Sequence, residues 1–270
     1  MPIKEGKIGP ISYALHGQNA AQETVVFLNG VIAFASSWAV LVRDVNRQGF
    51  AAITHDFRGQ GLSKPTSGPY TFAMHVSDLC AVLDELNLTK VHLVGTSYGG
   101  EVGLKAALMM PKRVQSLTLI NAASELDASL RKAIEDWISV ARQYDGGQFF
   151  DRIVKPLYHP NFVLKHPGFI KKAHATMAAM PAAYFDGQIT LYETFLSELH
   201  LTEKLGKITC PVLVICGEDD ALKPPYFSER IAKSITQSEY ALIPNCGHVT
   251  LYEKPAILST LVLGFLTKYR

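Results

Sequence analysis

Four cysteines in 270 residues, none of them in a C-x-x-C pair, are too few for a disulfide framework and wrongly spaced for a thiolate zinc site. Cys80, Cys210, Cys216 and Cys246 read as buried free thiols of a reducing compartment, although Cys246, two residues before His248, could be more accessible. Charge of one sign is equally scarce. Twenty-six Lys and Arg against 24 Asp and Glu leave a net charge of +2, which gives no electrostatic footprint for nucleic acid. No run of eighteen apolar residues occurs, so no transmembrane helix is expected. The N-terminal Met1-Pro2-Ile3-Lys4-Glu5-Gly6-Lys7 lacks the apolar stretch of a secretory signal. Repeats and low-complexity tracts are missing too. These absences point to a cytoplasmic globular protein, and a hydrophobic content of 48% supplies the core it needs.

What is present alternates. Ile11–Leu15, Thr24–Leu28, Phe50–Thr54, Val91–Val94 and Val114–Ile120 read as strands, and the unbroken apolar runs among them suit strands buried on both faces. Helical periods fall between them at Ser37–Arg47, Tyr70–Leu86 and Gly100–Met110. Such alternation implies an α/β fold, with parallel strands covered by helices on both sides. From Ser124 to about Lys204 the strands stop, and four helical blocks are expected: Leu130–Tyr144, Gln148–Pro156, Phe169–Met180 and Gly187–Leu199. Alternation resumes with the strand Val212–Cys216, a helix at Tyr226–Lys233, the strand Glu239–Ile243 and a final helix at Ala256–Tyr269. The reading is therefore a core made of residues 1–124 and 204–270, interrupted by a helical insertion at 125–203.

Gly95-Thr96-Ser97-Tyr98-Gly99 carries the chemistry. It reads G-x-S-x-G, and it joins an expected strand directly to an expected helix. A serine on so tight a turn needs small neighbours two residues away on each side. Its hydroxyl then stands free, beside the unpaired N–H groups of the new helix. The N–H of Tyr98 is one candidate donor to a developing oxyanion.

A serine alone is a poor nucleophile and needs a base, itself oriented by an acid. In an open parallel sheet such groups collect just beyond the carboxyl ends of strands. Glu218-Asp219-Asp220 follows the strand ending at Cys216, and His248 follows the strand ending at Ile243, giving the order Ser…Asp…His. Asp56 and His55 also follow a strand but fit this order less well.

These motifs make the chain resemble the α/β-hydrolase superfamily along nearly its whole length, closest to the branch of helical-capped esterases, cofactor-free haloperoxidases and enol-lactonases. The resemblance rests on the elbow at Ser97, the Asp56-Phe57-Arg58-Gly59-Gln60-Gly61-Leu62-Ser63 loop, the G-x-x-D-x-x-x-P segment from Gly217 to Pro224, and Gly247-His248 followed by Glu253-Lys254-Pro255. It implies Ser97 as nucleophile, His248 as base and Asp220 as acid, with Asp219 left as a solvated loop residue. It also implies that the N–H of Val31 joins that of Tyr98 in an oxyanion hole, although the chain has Asn29-Gly30-Val31 where the family has His-Gly-x. His16-Gly17 looks like the missing motif, but it precedes its strand and reads as a turn. In the Asp56–Ser63 loop, Arg58 is expected to pin neighbouring loops.

The insertion, as a cap, is expected to roof the serine with apolar side chains. Trp137, Met177, Met180 and Phe185, together with Asn29 and Val249, are the candidate pocket residues. The expected activity is hydrolysis of a carboxylic ester, lactone or thioester of a small, fairly apolar molecule, with no metal and no cofactor implied. Acyl transfer, C–C hydrolysis or perhydrolysis on the same residues are the alternatives, as is a receptor with little turnover. An acyl carrier could dock on the basic scatter of Lys155, Lys165, Lys171 and Lys172.

Overall fold

Eight strands form one sheet in the computed structural model, which describes residues 3–17 and 22–270. They are β1 (Ile3–Ile8), β2 (Ile11–His16), β3 (Thr24–Leu28), β4 (Ala51–His55), β5 (Val91–Thr96), β6 (Val114–Ile120), β7 (Val212–Gly217) and β8 (Ser238–Ile243). Their spatial order is β1-β2-β4-β3-β5-β6-β7-β8. The pairs β1–β2 and β2–β4 are antiparallel, and all the others are parallel. The helices are α1 (Ala39–Arg47), α2 (Phe72–Glu85), α3 (Tyr98–Met109), α4 (Ala128–Ala141), α5 (Gly146–Leu157), α6 (Pro160–Lys165), α7 (Pro167–Ala178), α8 (Ala182–Glu198), α9 (Pro225–Ser234), α10 (Thr250–Glu253) and α11 (Pro255–Lys268).

Alternate side chains of each central strand feed two separate cores, because successive residues of a strand face opposite ways. Val26, Leu28, Leu93, Leu117 and Val214 pack with Val76 and Leu79 of α2, Val102 of α3 and Ile231 of α9. Val25, Phe27, Val94, Ile120 and Ile215 pack with Leu41 and Val45 of α1 and with Leu258, Val262 and Leu266 of α11. Each such side chain contributes about 1.5–3 kcal/mol on burial, which explains why the runs at β3 and β5 are apolar at nearly every position.

The site is set by register. The connection order reverses between β3 and β5, which leaves a crevice at their carboxyl ends. Leu28 pairs with Gly95, Ile120 with Ile215 and Gly217 with Ile243. The chain therefore leaves β3, β5, β6, β7 and β8 along one edge, with Asn29, Ser97, Asn121, Asp220 and His248 just beyond it.

Between β6 and β7 the described chain is helical, apart from a single antiparallel bridge between Glu125 and His200. The Leu201 N–H donates to the Ser124 carbonyl at 2.7 Å, so the segment leaves and returns to the sheet side by side. It is anchored at a second point, where the N–H groups of His248 and Val249 donate to the Leu157 carbonyl at the end of α5, at 2.9 and 3.3 Å.

β1, α6 and the four-residue α10 are not among the elements expected from the sequence. β1 is an edge strand with Lys4, Glu5 and Lys7 along it and no fully buried residue, so it carries no apolar pattern and is held by its backbone ladder to β2. α6 is a six-residue helix started by Pro160, too short to show a period. His16, expected in a turn, is instead the last residue of β2, paired with Ala52 of β4; positions 18–21, Met1 and Pro2 lie outside the described residues.

Candidate active site

Ser97 sits between β5 and α3 at φ 51°, ψ −122°, a conformation costly for any residue with a side chain. Its own backbone is held there: its N–H donates to the Ile120 carbonyl at 2.8 Å, and its carbonyl accepts from the Gly100 N–H at 2.7 Å. The flanking glycines have a steric cause. A Cβ on Gly99 would run into the Leu28 carbonyl, and one on Gly95 into the Gly99 carbonyl.

His248 Nε2 lies 3.0 Å from Ser97 Oγ, and its Nδ1 lies 2.7 Å from Asp220 Oδ2. With Nδ1–H donating to the carboxylate, Nε2 is left to accept the serine proton. Asp220 is fixed from all sides. Its Oδ1 accepts from the N–H groups of Leu222 and Lys223 at 3.0 and 2.8 Å, and Oδ2 accepts from Asn121 Nδ2 at 2.8 Å. Asp219 instead is nearly half exposed and lies 3.5 Å from His159 Nε2. Glu253 ties the histidine loop to the insertion by accepting from the N–H groups of Gly247 and His159, both at 3.1 Å. Burial pushes its carboxyl upward.

The loop after β3 passes close to the serine. A Cβ on Gly30 would stand 3.5 Å from Ser97 Cβ, and both Val31 and Tyr98 border the same cavity as Ser97. Gln60 holds this loop from behind, its Nε2 donating to the carbonyls of Gly30 and Val31 at 2.9 and 2.8 Å. Asn29 does not line the cavity, contrary to expectation. It is fully buried, donates to Asp56 Oδ1 and the His55 carbonyl at 3.0 Å each, and accepts from Trp38 Nε1 at 2.8 Å. Asp56 is consumed by the same scaffold, accepting also from the Ala35 and Leu62 N–H groups. Arg58 forms a bidentate pair with Asp78 at 2.6 and 2.7 Å.

Ser97 and His248 open into a cavity of about 610 Å³. Its walls include Trp137, Met177, Met180 and Val249, all expected there, together with Tyr184, Tyr192 and Phe195. Phe185 is not among them. It is fully buried inside the insertion, edge-on to Phe149 and Tyr184 with ring centroids 5.8 and 5.2 Å away, so the helix presents its neighbour Tyr184 to the cavity instead. Cys246, the thiol nearest His248 in sequence, is fully buried, in keeping with the reading of buried free thiols, and burial pushes its pKa up to about 12.

One pair was not anticipated from the motifs. Lys223 Nζ lies 3.2 Å from Ser97 Oγ and 2.9 Å from Glu101 Oε1, and both side chains are almost wholly buried. Burial is the largest influence on Glu101 and pushes its carboxyl upward, against the opposing pull of Lys223. The sequence did hold a signal: Glu101 is the one acid in a helix whose other charged residue is Lys105, and it falls one turn after the serine and hence on its side.

Comparison with known proteins agrees with this architecture. A family model described as alpha/beta hydrolase fold matches residues 23–255. The chain is 28% identical to "Putative carbamate hydrolase RutD" of Azorhizobium caulinodans, with 98% of each chain covered. MGS-M2, an alpha/beta hydrolase enzyme from a Medee basin deep-sea metagenome library, superposes with a TM-score of 0.91 at 26% identity, covering 95% of this chain and 94% of that one. The enol-lactonase from Burkholderia xenovorans LB400 shares the fold, with a TM-score of 0.84 at 21% identity over 95% and 96% of the two chains. The matched segment runs from just before β3 to the first residue of α11 and takes in every element that carries the site, and the chain belongs to the α/β hydrolase fold family.

Proposed function

We propose that the protein is a serine hydrolase that opens a carboxylic ester, lactone or related acyl–heteroatom bond of a small, largely apolar molecule through an acyl-enzyme on Ser97. The observation that carries this reading is the continuous relay from Ser97 Oγ through the His248 ring to Asp220, opening into an apolar cavity. His248 takes the serine proton as Oγ attacks the carbonyl carbon. Asp220 holds the ring and stabilises the imidazolium. The N–H groups of Val31 and Tyr98 receive the oxyanion. His248 then protonates the leaving group and activates the water that releases the acid. Helices α4–α8 act as a cap that excludes bulk water, and the substrate partner is a small molecule.

A relative named for carbamate hydrolysis supports an acyl–nitrogen substrate as a second reading, since a carbamate carbonyl is attacked by the same groups. The test is turnover of short-chain esters by wild type and Ser97→Ala. The variant should retain its fold and lose roughly 10⁴-fold or more in kcat/KM. An unchanged rate removes Ser97 from the mechanism. Labelling by a serine-directed phosphonate without any turnover would favour a receptor, and preferential transfer of the acyl group to an added alcohol would favour a transferase.

A further inference from the structure

Lys223 has no part in the relay, yet its ammonium touches the reacting oxygen. Only 2% of its side chain is exposed, and Glu101, fully buried, balances it. A buried ion pair of this kind is weak evidence for stability, because well-packed apolar residues in its place are often at least as favourable. Its placement is asymmetric. Lys223 belongs to the cavity wall and Glu101 stands behind it. Among the described residues lining the cavity, Lys223 and Lys172 carry positive charge and none is an aspartate or glutamate. Glu101 Oε1 is committed to Lys223 and to the Ala123 N–H, 2.8 Å away, while Oε2 is buried without a hydrogen-bond partner. The carboxylate thus serves to hold the ammonium at the serine. Of the three ammonium donors, two are directed at Glu101 and Ser97. The remaining side of the ammonium faces the Phe195 ring, with Nζ 4.8 Å from its centroid, a soft contact that an anion can displace.

We infer that Lys223 is a specificity residue that receives a carboxylate of the substrate, so that the preferred substrates are monoesters or lactones whose acyl part carries a second, ionised carboxyl group. This rests on the hydrolase reading above. Nζ lies 3.2 Å from Ser97 Oγ, so a carbonyl carbon bonded to that oxygen has Nζ within a few bond lengths of its acyl substituents. A carboxylate two or three bonds away, at about 1.5 Å per bond, comes within hydrogen-bond reach of Nζ. Glu101 is the positioning residue, and the apolar wall of Trp137, Ile153 and Tyr192 accommodates the rest of the molecule.

The experiment compares monoethyl succinate with its neutral isostere, ethyl 4-methylpentanoate, by titrating released acid for wild type, Lys223→Met and Glu101→Gln. In the wild type the anionic ester should have the higher kcat/KM. In Lys223→Met the anionic-to-neutral ratio should fall at least tenfold, mainly through KM, and Glu101→Gln should lie between. A wild-type ratio below one, or a ratio unchanged in Lys223→Met, overturns the proposal, and the wild-type ratio alone decides if the variants do not fold. Calorimetry on Ser97→Ala separates this from the parent reading. If neither ester is turned over but monoethyl succinate binds at least tenfold more tightly than the isostere, the anion site stands and the hydrolase reading falls. Turnover of both esters without preference has the opposite meaning.

Discussion

The hydroxyl of Thr250 donates to Asn121 Oδ1 at 2.6 Å, joining two residues 129 positions apart. This bond turns the Asn121 amide so that Nδ2 points at Asp220 Oδ2. Asn121 is itself at φ 52°, a conformation asparagine tolerates better than most residues. The Thr250 hydroxyl therefore acts on His248 through two intermediates. Thr250→Val keeps the shape and leaves a buried acceptor unpaired. It should cost about 1–2 kcal/mol in urea unfolding and, by loosening Asp220, lower kcat roughly five- to tenfold with KM little changed. A wild-type kcat in a destabilised variant would make the bond purely structural.

Gln60 faces the proposed oxyanion donor from the far side, giving its amide protons to the carbonyls of Gly30 and Val31. Gln60→Leu should free this loop without entering the cavity. Loss of one oxyanion donor outright costs on the order of 10²–10³ in kcat, so a donor merely left unbraced should cost about tenfold. Steady-state kinetics on a neutral ester checks this, and an effect confined to KM would contradict it.

Much of the site was readable because its residues follow strands. Ser97, Asp220 and His248 each stand just past an apolar run, and in a parallel sheet those runs end along one edge whatever the details of packing. Side chains that point away from that edge were not readable. Asn29 occupies the right loop, but its amide turns into the scaffold of Trp38 and Asp56. Phe185 and Tyr184 are adjacent aromatics on one helix, and only the packing of α8 against Phe149 decides which faces inward. Lys223 sits inside a motif already assigned to Asp220, and its partner Glu101 lies 122 positions away, so no local pattern joins them. β1 escaped because backbone pairing at an edge leaves no trace in hydropathy.

Arg58, in the loop that carries Gln60, forms a bidentate pair with Asp78 of α2, the two side chains being 19% and 10% exposed. Asp78 holds the guanidinium pKa above its ordinary value. Charge-assisted hydrogen bonds in so sheltered a position contribute about 1.5–3 kcal/mol, more than a solvated surface pair. Arg58→Met should lower the urea midpoint accordingly, and a loss below about 0.5 kcal/mol would place this pair among ordinary surface contacts.

His75 should make the fold acid-sensitive before any carboxylate does. It is fully buried among Phe57, Tyr70 and Tyr98, with Nε2 3.0 Å from the Tyr98 hydroxyl. Burial, reinforced by the charges of His55 and Arg58, brings its pKa down from 6.5 to about 3. Between those values the unfolded chain binds a proton that the folded chain refuses. Stability is therefore complete above about pH 7 and falls as the pH drops through 6.5 toward 3. One such histidine accounts for about 2 kcal/mol lost between pH 7.5 and pH 5. His92, brought down to about 4 by burial first and by Lys90 and Arg270 second, adds a loss of the same sign. His75→Phe removes one titrating group while keeping the aromatic packing. Its stability at pH 7.5 should be at or below that of the wild type, because the Tyr98 hydroxyl loses this partner. On acidification to pH 5 it should lose about 2 kcal/mol less than the wild type does. Parallel pH profiles for the two proteins in urea unfolding would show that His75 is not the group that titrates.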